Sequence, residues 1–124
     1  VVAQLPKLLE SSIKEKGVNL SGGQKQRLAL ARGILAAQGS DIILMDEPTS
    51  SVDPKTELVI YQRLFELFKD KVMISALHRL HLLVHFDHIY VIHNGRIAEQ
   101  GSLEYLKQYG SLFRDLWSHQ EIEK

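Results

Sequence analysis

Ile42-Ile43-Leu44-Met45-Asp46-Glu47-Pro48 passes from a short apolar run to two adjacent carboxylates and a proline. The apolar run is too short for a helix and suits a strand buried on both faces, as in a parallel sheet covered by helices. Ligands of such sheets bind beyond the carboxyl ends of the strands, so Asp46 and Glu47 stand where a site belongs. Successive strand residues point to opposite faces, so both carboxylates can serve one ligand only if the strand stops at Asp46. Pro48 favours that stop, because it donates no ladder hydrogen bond and biases Glu47 towards an extended backbone. One carboxylate could then hold Mg²⁺, directly or through water, while the other polarises an attacking water. The alternative is a solvated acidic pair at a strand end.

Working outward, Val72 to Ala76 is a second short apolar strand. Between the two, Asp53-Pro54 opens a helix as N-cap and first helical residue, with Leu58, Tyr61, Phe65 and Phe68 as its apolar stripe. Upstream, Leu5 to Glu10 reads as a short helix with Pro6 in its first turn, and Ser12 to Asn19 as a polar loop broken by Gly17. Downstream, Ile89–Ile92 and Arg96–Glu99 flank His93-Asn94-Gly95, a tight hairpin signal. Ser102 caps a short helix, and Leu112, Phe113, Leu116 and Trp117 form the apolar face of a last one. Strands alternating with helices predict an α/β domain with a mainly parallel sheet.

Leu20-Ser21-Gly22-Gly23-Gln24-Lys25-Gln26-Arg27 carries the second chemical signal. Lys25 to Ala37 is rich in helix formers, with Leu28, Ala31, Ile34 and Leu35 on one stripe. Ser21 and Gln24 have the spacing of a capping box. Glycine inside a helix costs roughly 0.5–1 kcal/mol relative to alanine, so two in the first turn call for a reason. Bare backbone at the positive end of a helix dipole lets a phosphate approach its N–H groups closely. An ordinary capped helix is the alternative.

The 124 residues suffice for one modest core, with 44% hydrophobic and 24% charged residues. Lys+Arg and Asp+Glu both number 15, which argues against a polyanionic partner such as bulk nucleic acid. The absence of cysteine excludes disulfides and thiolate metal sites. No run is long enough to span a membrane, and the start at Val1 fits a piece of something larger. Of the six histidines, His78 differs because it follows the predicted strand Val72–Ala76 and so leaves the sheet at the edge where Asp46 leaves it. There an imidazole could donate to a phosphate oxygen. His81, His85, His88, His93 and His119 have no such placement.

Together these residues resemble the ATPases of ATP-binding cassette (ABC) transporters. Leu20–Arg27 looks like the signature motif, and Ile42–Pro48 resembles the Walker B motif with its catalytic glutamate. Ser50-Ser51-Val52-Asp53 is similar to the D-loop, and His78 in Ala76-Leu77-His78-Arg79-Leu80 matches the switch histidine. Tyr90–Gly101 and the acidic loop Lys14–Asn19 resemble the export-type members. Val52 stands where the family often has leucine, and Leu77 where it often has threonine. No G-x-x-x-x-G-K-[ST] Walker A loop is present. Nothing here replaces the lysine and backbone N–H groups with which that loop cradles the β- and γ-phosphates.

The resemblance implies the C-terminal half of a nucleotide-binding domain from an exporter, on a partial P-loop NTPase-type sheet flanked by helices. Residues 1–38 would be part of the helical subdomain and 39–124 the C-terminal part of the ATPase core. Asp46 would bind Mg²⁺ through water, Glu47 would be the general base and His78 would contact the γ-phosphate of ATP. Ser21, Gly22, Gly23 and Gln24 would cap the ATP held by a second, head-to-tail nucleotide-binding domain, and Asp53 would link the two sites. Transmembrane domains fused upstream would place the domain at the cytoplasmic face of a membrane. The segment alone would not turn over ATP. Two other readings are an ABC-type ATPase of chromosome maintenance or DNA repair, which calls for coiled-coil heptads and a basic face absent from 1–17, and a non-catalytic half-domain.

Overall fold

A computed structural model describes residues 21–49 and 51–122. Leu20, Ser50, the expected helix Leu5–Glu10 and the loop Ser12–Asn19 lie outside the described residues. The chain forms two compact units, divided between Ala76 and Leu77.

The first unit contains helix α1 (Gly22–Ala37), strand β1 (Ile42–Asp46), helix α2 (Pro54–Leu67) and strand β2 (Val72–Ala76). β1 and β2 are parallel, in register from Ile42 opposite Val72 to Asp46 opposite Ala76. A crossover through a helix is what a parallel pair requires, and α2 supplies it. Asp53 caps α2 by accepting from the Thr56 N–H, and Pro54 occupies the first turn, where its missing N–H leaves no bond unmade. The ε-ammonium of Lys71 donates to the Gln38 carbonyl at 3.0 Å and to that of Ser40, putting positive charge at the negative end of α1. Ile43, Val52, Tyr61, Leu64 and Phe68 are buried. Burial of each large side chain contributes about 1.5–3 kcal/mol.

Three expectations are corrected here. β1 is buried on one face only, since Ile43 is 7% exposed while Ile42 and Leu44 are 58% and 74% exposed. Period-two alternation has replaced the two-sided burial read from its uninterrupted apolar run. On α2 the buried set is Glu57, Tyr61, Leu64 and Phe68, with Leu58 and Phe65 half-buried. The face has turned to admit Glu57, whose carboxylate has a partner below the helix. α1 has no fully buried residue, and Leu35 is 70% exposed. Apolar groups lie nearly all round this helix, so periodicity alone does not select a face.

The second unit runs from a 3-10 turn (Leu80–His85) into strands β3 (Ile89–His93) and β4 (Arg96–Gly101), then helices α3 (Leu103–Tyr109) and α4 (Ser111–Ile122). β3 and β4 form the expected antiparallel hairpin. Asn94 and Gly95 have φ of 51° and 73°, the two left-handed residues of a type I′ turn, whose twist matches the strands it joins. Gly101 ends β4 at φ 152°, and a Cβ there would lie 2.7 Å from Cδ1 of Tyr105. Ser102 caps α3 by accepting from the Tyr105 N–H at 3.1 Å. The Glu99 carboxylate accepts from the N–H groups of Leu112 at 2.6 Å and Phe113 at 3.1 Å, placing negative charge at the start of α4. Leu83, Ile89, Val91, Leu106 and Phe113 form the core, with Leu103 and Trp117 against it. Of the expected apolar face of α4, Leu112 and Leu116 stay exposed.

Candidate active site

The glycine-opened turn is built as its residues dictate. Ser21 Oγ accepts from the Gln24 N–H at 3.1 Å, and Gln24 Oε1 accepts from the Ser21 N–H at 2.9 Å, a complete capping box. Gly22 and Gly23 follow as the first two helical residues, and both have ordinary negative φ. Among the described residues, a Cβ on Gly22 would meet nothing within 4 Å. One on Gly23 would meet the Arg27 guanidinium and the Ser51 carbonyl at 3.6 Å, an ordinary van der Waals contact. Neither backbone geometry nor crowding among the described residues therefore asks for glycine, although each costs helix stability.

At the carboxyl end of β1 the strand stops at Asp46, as two carboxylates beside one ligand require. Asp46 is exposed and Glu47 half-buried. Glu47 is not extended as Pro48 led us to expect: its φ is +47°, in the left-handed region. The proline disfavours only the right-handed helical region, and hydrogen bonds decide between the rest. The Glu47 N–H donates to the Ala76 carbonyl at 3.0 Å, and its carbonyl accepts from the Gln26 side-chain amide at 3.4 Å. A left-handed conformation at a residue with a side chain costs about 1–3 kcal/mol and marks a place the surroundings over-determine.

Beyond Pro48 the chain is held just as closely. Ser51 donates its N–H to Gln26 Oε1 at 2.9 Å. The Thr49 hydroxyl donates to the buried Glu57 carboxylate at 2.6 Å, and the Tyr61 and Ser75 hydroxyls share a bond of 2.8 Å. Burial raises the Tyr61 phenol above its ordinary pKa. Asp53 receives the Thr56 hydroxyl at 2.6 Å and the Thr56 N–H at 3.1 Å, and the first of these bonds chiefly lowers its pKa. A groove of about 520 Å³ runs along this unit, lined by Gln26, Leu30 and Ile34 of α1 and by Ile42, Leu44 and Asp46 of β1.

Ser21, Gly22, Gly23, Gln24, Asp46, Glu47 and Asp53 thus all belong to the first unit, whereas His78 belongs to the second. β2 ends at Ala76, opposite Asp46 in register. His78 is exposed, its carbonyl accepts from the Gln120 side-chain amide, and the Leu80 N–H donates to Gln120 Oε1 at 2.9 Å. No group of three His, Cys, Asp or Glu suited to a metal occurs among the described residues. An exposed carboxylate such as Asp46 fits Mg²⁺ as a lone protein oxygen donor, because that ion keeps several waters and takes other ligands from substrate phosphates.

Gln26, Gln120, Thr49 and Glu57 were not singled out from the sequence. A signal existed for Gln26: it lies in helical phase with Leu30 and Ile34, a polar residue on the groove-lining face. Glu57 likewise falls in phase with Tyr61 and Leu64 on the buried side of α2. For Gln120 we find no comparable sign.

The family described as ABC transporter matches residues 2–50. The chain is 41% identical over 119 residues to the ATP-dependent lipid A-core flippase of Chromobacterium violaceum, covering 96% of this chain and 20% of that protein. It is 42% identical over 116 residues to the glutathione/L-cysteine transport system ATP-binding/permease protein CydC of Bacillus subtilis, covering 94% of this chain and 20% of that protein. A bacterial Atm1-family ABC exporter with ATP bound superimposes with a TM-score of 0.87 at 36% identity, over 97% of this chain and 21% of the exporter chain. This chain therefore spans about a fifth of the length of those relatives. Among the described residues no helix is long and apolar enough to cross a membrane. Motifs, fold and relatives all match the chain to the ABC transporter family, where it is similar to a segment of an exporter-type nucleotide-binding domain.

Proposed function

We propose that this chain contributes to two ATP sites in a membrane exporter, one completed by its own domain and one by a second domain packed head to tail. The observation that carries this reading is the unforced pair Gly22-Gly23 at the open end of α1. A helix N-terminus kept bare where the described residues leave room for side chains suits an external phosphate. Ser21, Gly22, Gly23 and Gln24 would cap the γ-phosphate of the ATP bound by the partner domain. In the chain's own site Asp46 would hold Mg²⁺ through water, and the ion would supply charge neutralisation for the phosphates. Glu47 would accept the proton of the attacking water, His78 would donate to a γ-phosphate oxygen, and Asp53 would link the sites.

The parent's transmembrane domains would harness this ATPase at the cytoplasmic side. Residues 1–38 would form part of the helical subdomain and 39–124 part of the ATPase core. Glu47→Gln in the full-length protein tests the assignment, since it keeps size and hydrogen bonding but removes the base. ATP should still bind while hydrolysis collapses. Hydrolysis at the unaltered rate would refute Glu47 as the base.

A further inference from the structure

Gln26 is half-buried, one helical turn beyond Gly22 and Gly23. Its amide nitrogen donates to the Glu47 carbonyl at 3.4 Å and its amide oxygen accepts from the Ser51 N–H at 2.9 Å. A carboxamide presents donor and acceptor on one planar group, and the Ser51 N–H fixes which end faces which partner. The two bonds land on either side of Pro48-Thr49, so one side chain spans the turn that follows β1. On the far side of Glu47, the Ala76 carbonyl holds its N–H at 3.0 Å. Glu47 is therefore tied through both of its backbone polar groups, one to β2 and one to α1, at the residue whose φ is +47°.

We propose that Gln26 is a positioning residue that aims the Glu47 carboxylate by holding its backbone left-handed, and that couples the glycine end of α1 to the segment carrying Glu47 and Asp53. The proposal rests on the reading of Glu47 as general base. A phosphate drawn against Gly22 and Gly23 pulls on the turn of helix that carries Gln26. That pull reaches the Glu47 carbonyl and the Ser51 N–H through a single amide. Occupancy at one ATP is thus felt at the base of the other site without any contact between the ligands.

Two variants of the full-length protein test this, with two readouts. Gln26→Met keeps length and removes both bonds, whereas Gln26→Glu keeps the acceptor and loses the donor. In nucleotide-free Gln26→Met, amide hydrogen exchange in the 47–52 segment should quicken about fivefold, the loss of one net hydrogen bond, with 28–37 unchanged. Its kcat for ATP should fall about tenfold or more with KM for MgATP nearly constant, as for an interaction made only in the transition state. Gln26→Glu should be similarly slow at pH 8. Its rate relative to wild type should climb as pH falls towards the carboxyl range near about 4.3, because the neutral acid restores a donor beside the acceptor.

Unchanged exchange at 47–52 together with unchanged kcat would overturn the proposal. So would faster exchange spread over all of α1, which would mean that the residue merely supports the helix. If Glu47→Gln is inactive while Gln26→Met turns over normally, the positioning role alone fails. If Glu47→Gln hydrolyses ATP at the wild-type rate, the reading of the base fails with it.

Discussion

The Thr49 hydroxyl donates to the Glu57 carboxylate at 2.6 Å, and the two residues are 1% and 3% exposed. This bond joins the chain just beyond Pro48 to the first turn of α2, and so fixes one end of the segment that carries Glu47 and Asp53. Thr49→Val should destabilise the nucleotide-binding domain by about 1–3 kcal/mol, because it removes a donor from a buried carboxylate. Urea denaturation of the domain, with and without the substitution, measures it. A stability equal to wild type would mean that the bond contributes nothing.

Gly22→Ala should separate stability from function. No atom of the described residues lies within 4 Å of the added methyl, so the helix should gain about 0.5–1 kcal/mol. ATP hydrolysis by the full-length protein should nevertheless fall, since the methyl stands where a partner's phosphate would approach. Thermal unfolding and ATPase rate, measured on one preparation, should move in opposite directions. A gain in both would remove the argument from the unforced glycines.

The cap on α2 gives a pH signature. The Asp53 pKa is lowered in the folded state, chiefly by the Thr56 hydroxyl, below an unfolded value of about 3.9. Its contribution is therefore fully present above the unfolded value and is lost as pH falls through the lower folded one. Asp53→Asn should flatten that acid limb of the stability curve while leaving stability near pH 7 little altered, because asparagine also caps. An acid limb identical in variant and wild type would show that the cap does not report on pH.

Gly101→Ala should destabilise the second unit by about 1–3 kcal/mol, since the residue sits at φ 152° and its Cβ would strike the Tyr105 ring. Loss of the near-ultraviolet signal at lower urea concentration would show it. Gly95→Ala at the hairpin should be milder, because no described residue lies within 4 Å of its Cβ and only the turn conformation suffers.

Local chemistry was the legible part of this fold. Ser21 with Gln24, Asp53 with Pro54, Ser102 and Asn94-Gly95 each act through neighbours a few residues away, and all four stand as their spacing indicates. Burial was less legible, because it depends on what packs opposite. Leu44 and Leu35 are as apolar as Ile43 and Leu64, yet only the latter pair find a cover among the described residues. The turn after Asp46 shows the same limit. The Glu47-Pro48 dipeptide narrows the backbone to several conformations, and it takes the Ala76 carbonyl and the Gln26 amide, distant in sequence, to choose the left-handed one. The candidate site was legible as residue types in order, whereas the amides that hold it were not.

Mixed dimers of the full-length protein test the central claim, that each ATP site is shared between two chains. Gly23→Asp would put a repelling charge where the partner's phosphate is proposed to lie, and Glu47→Gln would remove the proposed base from the chain's own site. Single-turnover hydrolysis of bound ATP is measured for dimers carrying both changes on one chain and for dimers carrying one change on each. With sites shared head to tail, one change on each chain strikes the same site twice and leaves the other intact, so about half of the wild-type burst should survive. Both changes on one chain strike both sites, and the burst should vanish. The reverse pattern would contradict the account, because it would place Gly23 and Glu47 of one chain around the same ATP.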